Sequence, residues 1–250
     1  MDKKILAFAL SGLCFTTLAF AEGEEEMKPF SMEAGMGFNI TTGNTETTSL
    51  NGSIVANHEL EDWSNDYNIS ALYKEETVEN ADGEKEDRIS AEKYFASAQA
   101  NYKLTNPDHR LFGFASYEQD KQSSYDYQAT LASGWNQKLW ETETSKFEYS
   151  LGPGYAWSKT QDGEQQNGMI VRASAAFQWF VSETSKFTQT ASTEVGRDNT
   201  KSLSESALTA SINGSLSMKL GIKLSHNTHV ESGKDKLDTE TSVALVYNFF

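Results

Sequence analysis

The chain has 250 residues, with 17 Gly, 3 Pro and 1 Cys, 38% hydrophobic and 12% aromatic residues, and a formal charge of −15. The acid excess argues against a nucleic-acid binder, which needs Lys and Arg to neutralise phosphates, and the aromatic content argues against a disordered chain. After residue 21 no apolar run is long enough to make a transmembrane helix.

Residues 1–21 read as a secretory signal. Lys3 and Lys4 form a basic start, Ile5 to Phe20 an apolar stretch, and Ala19-Phe20-Ala21 an A-x-A cleavage pattern, with cleavage expected after Ala21. The single Cys14 lies in this segment behind Leu13, not behind the small residue that a lipoprotein signal needs. The exported chain is therefore expected to hold no disulfide. Residues 22–30 are acidic and aperiodic and read as a flexible leader, with one domain over 31–250.

From Met32 onward the pattern alternates with period 2, the mark of strands with two different faces. Twelve strands are predicted, over 32–42, 47–59, 66–75, 90–104, 109–119, 125–138, 146–158, 168–180, 186–196, 203–215, 219–230 and 237–249. The span from Leu203 is the least distinct, being mostly Ser, Ala and Thr. Many runs last ten residues or more. Soluble strands have a mode of roughly 5–6 residues, whereas a membrane-crossing strand needs roughly 9–11.

The connections fall into two sets. Compact ones are expected near 60–65, 105–108, 139–145, 181–185 and 215–218. Longer or more polar ones are expected over the acidic 75–87 and over 159–167, 197–202 and 231–236. Glu-Thr-Ser-Lys-Phe occurs at 143–147 and again at 183–187, which places both copies at one end of a repeated up-down hairpin. Short turns on the periplasmic side and longer outer loops are the habit of transmembrane barrels.

One phase of these strands carries most aromatics, including Phe38, Tyr67, Tyr94, Tyr102, Tyr117, Tyr125, Tyr127, Trp135, Tyr155, Trp157, Trp179 and Tyr247. Many sit near strand ends, where an amphipathic ring suits the lipid headgroup region. Trp63, Trp140 and Phe180 fall in or beside the compact turns. The opposite phase holds Phe95, Phe112 and Phe114 among Ser, Thr, Asn, Gln and Gly, with charges of both signs. That phase reads as a hydrated lumen. The same alternation would serve a soluble sandwich or lipocalin-type barrel. Strand length, the position of the aromatics and the export signal favour the membrane. The predicted fold is all-β: an antiparallel up-and-down transmembrane β-barrel of about 12 strands.

Candidate lumen charges are Arg172, Lys223, Glu148 and Asp126. Arg172 and Lys223 fall near mid-strand, and each needs an acid or water as partner. They form either an internal salt-bridge network that fills the lumen or a constriction that favours anions. The final strand carries Val243, Leu245, Tyr247 and Phe249 at spacing two, followed by Phe250. This resembles the C-terminal signal that the barrel-assembly machinery reads in bacterial outer-membrane proteins, with Phe249 or Phe250 as its last residue.

Several segments then resemble one family. Gly43-Asn-Thr-Glu-Thr47 opening a strand, Tyr94 to Tyr102, Leu111 to Tyr117 and Gly152-Pro-Gly-Tyr155 are similar to segments of the YdiY-like family, a domain of unknown function often labelled salt-induced outer-membrane protein. The likeness spans roughly 32–250. It implies an outer-membrane barrel and supplies no catalytic or binding residues.

Little chemistry is predicted. The histidines are His58, His109, His226 and His229. Ser225 and His226 are sequence neighbours, and on a strand they point to opposite faces, so they form no dyad by themselves. There is no HExxH and no Cys pair, and the acidic 75–87 lacks the spacing of a calcium loop. No enzyme activity, cofactor, metal or nucleic acid is expected. The expected partners are outer-membrane lipid, lipopolysaccharide and the assembly machinery. The leading reading is a narrow channel, or an envelope protein responding to salt or osmotic conditions. A membrane-embedded hydrolase and a structural or adhesive surface barrel are the alternatives.

Overall fold

The computed structural model describes residues 30–41, 46–79, 85–230 and 232–249. The predicted signal segment, most of the acidic leader and Phe250 lie outside the described residues. Twelve strands follow one another: β1 (Phe30–Thr41), β2 (Glu46–Glu59), β3 (Trp63–Glu79), β4 (Lys85–Lys103), β5 (His109–Asp120), β6 (Tyr125–Glu141), β7 (Ser145–Thr160), β8 (Gln165–Ser182), β9 (Ser185–Gly196), β10 (Thr200–Ser211), β11 (Leu216–Asn227) and β12 (Leu237–Asn248). Each pairs antiparallel with its neighbours in sequence, and β1 pairs with β12, so the sheet closes into an up-and-down barrel. Closure matters physically: pairing β1 with β12 removes the free sheet edge along their seam, as a non-aqueous surround requires.

The closing seam is short. β1 meets β12 from Glu33↔Asn248 to Met36↔Leu245, and the Phe249 N–H donates to the Met32 carbonyl at 3.0 Å. The rim where β1 begins and β12 ends is the near rim, and the opposite one is the far rim.

The outer phase is apolar. Met169 is 68% exposed, Leu131 56% and Ile69 55%, which no water-facing surface would favour at mid-strand. Aromatic rings mark both rims. Near the near rim, Trp63 sits 5.1 Å from Tyr102, Trp140 4.9 Å from Phe147 and Tyr247 4.9 Å from Phe249, measured between centroids. Toward the far rim, Tyr117 lies 6.1 Å from Tyr127 and Tyr155 4.8 Å from Trp157. An apolar band between two aromatic girdles is the exterior of a membrane-embedded barrel.

The inner phase supplies what core there is. Phe112, Phe114 and Ala132 form its buried apolar cluster. Beside them β6 and β7 approach closely. A Cβ on Gly152 would lie 2.0 Å from the Ser133 carbonyl oxygen, and one on Gly134 2.4 Å from that of Leu151. Pro153 lies between Gly152 and Gly154 and donates no ladder bond. Only glycine lets these two backbones come so close.

Three expectations are corrected. The described residues of the acidic 75–87 are strand, not loop. After a bulge at Lys74/Glu75, Glu75–Glu79 pairs with Lys85–Ile89, so most of this segment extends β3 and β4 into a long hairpin. Two side-chain contacts tie the strands: Arg88 lies 3.5 Å from Glu76, and the Thr77 hydroxyl donates to Asp87 at 2.7 Å. Similar extension shortens the expected connections at 159–167 and 197–202, because β7 runs to Thr160 and β10 starts at Thr200. Of the predicted polar connections within the described residues, only the one after β11 stays long.

The second correction is Tyr125, which faces inward and is 2% exposed. A bulge between Tyr125 and Tyr127 breaks the period-2 count there. The third concerns β9 and β10, whose outward phase is polar at Gln189, Thr193, Ser202, Ser204 and Ser206. These side chains satisfy one another. The Gln189 amide donates to Ser204 at 3.0 Å, Thr193 and Ser202 hydroxyls are 3.1 Å apart, and Ser206 donates to Gln189. Paired in this way, they cost little against lipid.

Candidate functional site: the lumen

Inward side chains come from every second residue, and register decides which of them meet. Toward the far-rim ends of β5 and β10, Glu118 on β5 lies 3.6 Å from Lys93 on β4 and 3.4 Å from Lys201 on β10. β5 and β10 are five places apart in a ring of twelve, so the Glu118–Lys201 pair crosses the lumen. Lys93 also reaches Asp120 at 3.3 Å. A second crossing stacks the Arg172 guanidinium from β8 on the Phe114 ring from β5, 3.7 Å from its centroid. Arg172 Nε lies 3.5 Å from Glu194 on β9, and Glu194 accepts a 2.8 Å bond from the Thr130 hydroxyl on β6. A third brings the Lys223 ammonium from β11 to 5.2 Å from the Phe95 centroid on β4. Both cations thus rest on aromatic faces, which attract them through the ring quadrupole.

Further bridges close the far end. The Tyr125 hydroxyl donates to the His229 carbonyl at 2.9 Å, Gln128 donates to Asn227 at 3.4 Å, and Lys234 donates to the Gln122 carbonyl at 2.7 Å. Asp162, in the turn after β7, has its carboxyl held below the ordinary range. The Thr160 hydroxyl is the main cause, and the Glu164 N–H adds to it.

From these crossings toward the near rim, the lumen widens into a cavity of 470 Å³. That lies within the roughly 300–1,000 Å³ range of small-ligand sites. Its cations are Lys146, Arg172, Lys186, Lys201, Lys219 and Lys223. Its acids are Glu33, Asp66, Glu148, Glu194 and Glu205. Six positive charges face five negative ones here, in a chain with 21 Lys and Arg against 36 Asp and Glu. The lining of this cavity is thus depleted of the chain's acid excess. Several of these charges are paired: Lys186–Glu33 at 3.2 Å, Lys219–Glu205 at 3.4 Å and Lys146–Glu148 at 3.4 Å.

Arg172, Lys223 and Glu148 all line this one cavity. Asp126 does not join them. It sits beside the Tyr125 bulge, 3.5 Å from Lys159, and both are more than a third exposed. Lys93, Lys201, Thr130 and Asn136 complete the lumen and were not singled out from sequence. Each occupies the inward phase of its strand, so parity was the available signal. What parity does not give is the partner on the far wall.

Val243, Leu245, Tyr247 and Phe249 lie outward, each more than 40% exposed, along the end of β12. Ser225 points inward and is buried. His226, the next residue, faces the outer surface near Leu237, so the two occupy opposite faces of β11.

A family model described as "Protein of unknown function, DUF481" matches residues 34–249. The chain is 28% identical over 222 residues to the uncharacterized protein YdiY of Escherichia coli K12, covering 88% of this chain and 84% of that one. Among solved structures it is similar to the translocator domain of the autotransporter NalP from Neisseria meningitidis, with 10% identity, a TM-score of 0.45, and coverage of 87% and 86% of the two chains. It is also similar to the NanC porin, with 10% identity, a TM-score of 0.46, and coverage of 86% and 98%.

Proposed function

The chain belongs to the DUF481 family, and from that premise we propose that it is a bacterial outer-membrane barrel acting as a narrow channel, closed at rest by charge contacts from wall to wall. Location in the outer membrane is supported by the apolar band, the two aromatic girdles and strands of 12–19 residues. The end of β12 suits recognition by the barrel-assembly machinery, and the charged β3–β4 hairpin suits contact with lipopolysaccharide at the outer rim.

The observation that carries the channel reading is the Glu118–Lys201 pair, which joins walls five strands apart. The closure at this level is made of ions, with a cavity of 470 Å³ directly beneath it. Ionic closure is sensitive to salt. The Debye length falls from about 10 Å at 0.1 M to about 3 Å at 1 M, but pairs this buried are screened little, so salt acts chiefly through ions that enter the lumen and compete for these charges. Lys93 and Lys201 keep 13% and 12% of their side-chain surface exposed. A barrel of this kind opens more often as ionic strength rises, which links it to salt conditions in the envelope.

The test is single-channel recording of the folded protein in planar bilayers over a KCl series. Brief discrete openings are expected, with an open fraction that rises with salt. Glu118→Gln/Lys201→Gln is expected to lengthen the openings at low salt. If wild type and double variant both fold, as judged by a heat-modifiable gel shift, and both stay silent at every salt, the channel reading is wrong.

A further inference from the structure

Arg172 is the most unusual group in the lumen. Its side chain is 8% exposed, yet Nη1 has no hydrogen-bond partner and Nε meets Glu194 only at 3.5 Å, outside hydrogen-bond geometry. Phe114 holds the guanidinium flat at 3.7 Å and fixes the direction in which its N–H groups point. Two acceptors on the same cavity also lack a hydrogen bond. Asn136 Oδ1 has no partner, and Glu148 Oε2 has only Lys146 at 3.4 Å.

Buried polar groups are seldom left unpaired, because each unmade bond costs most of its desolvation. Donors at Arg172 and the acceptor at Asn136 are unpaired together, Glu148 Oε2 is ion-paired with Lys146 but accepts no hydrogen bond, and all three residues line one cavity of 470 Å³. β7 carries Glu148 and separates β6 with Asn136 from β8 with Arg172, and register brings the three close. Asn136 faces Ser150, Arg172 faces Gly152, and Glu148 lies two residues from Ser150. One small molecule can reach all three.

We propose that this cavity binds a small hydroxylated carboxylate. Its carboxylate is received by Arg172, whose planar fork suits two carboxylate oxygens, and its hydroxyl groups donate to Asn136 and Glu148. The unsatisfied Arg172 guanidinium favours an anion over a neutral polyol, and the acceptors without hydrogen bonds favour a hydroxylated anion over a plain one. Binding needs a folded barrel with an accessible near rim and does not need ion flow. It can therefore fail while the channel reading holds, and the reverse.

The experiment is isothermal titration of the detergent-folded full-length barrel at low ionic strength with three probes: gluconate, acetate and sorbitol. Gluconate is expected to bind saturably at millimolar or lower concentration, acetate at least tenfold more weakly, and sorbitol not at all. Arg172→Gln is expected to weaken gluconate at least tenfold, and Asn136→Leu to weaken gluconate and leave acetate unchanged. Should Arg172→Gln fail to fold, the Nε–H resonance of Arg172 in the ¹⁵N-labelled wild type gives the same answer: it shifts with gluconate and not with sorbitol. No saturable binding, equal binding of gluconate and sorbitol, or an unmoved Arg172 resonance at gluconate saturation each overturns the proposal.

Discussion

Glu118→Gln removes one charge from the lumen and keeps the shape of the side chain. Glu118 is 8% exposed at its side chain and holds two ammonium groups, Lys93 at 3.6 Å and Lys201 at 3.4 Å. At an effective dielectric of about 20, each contact is worth roughly 5 kcal/mol in gross Coulomb energy, before desolvation is subtracted. Removing one partner from a buried pair typically costs about 3–5 kcal/mol, because the surviving charge stays buried without compensation. Lys93 keeps Asp120 at 3.3 Å, so the stranded charge is mainly Lys201, although Glu194 faces it across β9 and β10. A loss near the lower end, about 3 kcal/mol, is therefore expected. The assay is reversible urea unfolding in lipid vesicles, followed by tryptophan fluorescence and by the gel shift of the folded form. Adding Lys201→Gln is expected to recover part of the loss, with a coupling of about 1–3 kcal/mol in the double-mutant cycle. A change under about 1 kcal/mol for Glu118→Gln, with no coupling to Lys201, would refute the wall-to-wall pair as a structural contact.

Other expectations follow from the same geometry. Gly152→Ala places a Cβ against the Ser133 carbonyl oxygen, a backbone atom that cannot swing away, and is expected to cost about 3 kcal/mol or more as severe overpacking; Gly113→Ala meets nothing within 4 Å and is expected to leave the unfolding midpoint nearly unchanged. Leu131→Arg puts a charge on the outward face near mid-strand and is expected to destabilise the folded barrel by about 2–4 kcal/mol in vesicles, with a smaller loss for arginine at a rim position. The Asp162 carboxyl is depressed by its bonds in the folded turn, so the contribution of those bonds is present above the ordinary aspartate range and is lost as pH falls through the lower folded value. NMR of the Glu164 amide is expected to stay constant down to about pH 3.9 and to move only below it; a transition centred above that pH would contradict the assigned bonds.

The sequence by itself determined the number of strands, their order and which face of nearly every strand meets water. Those properties are local, since side-chain direction alternates residue by residue and length distinguishes a membrane crossing from a soluble strand. Arg172, Lys223 and Glu148 were legible as inward charges on that ground alone. Legibility failed where the period is interrupted. The bulge at Tyr125/Tyr127 turned an aromatic inward and left Asp126 at the rim with Lys159, and no residue type there announces a bulge. It failed again over 75–87, where acidic composition suggests a solvated loop and cross-strand pairing with Arg88 and Lys85 makes a ladder. Only the tertiary structure decided which charges meet. Glu118 and Lys201 stand far apart along the chain, with four strands between their own, and only closure of the ring brings them within 3.4 Å. Parity says that a side chain enters the lumen; the register of all twelve strands together says what stands opposite it.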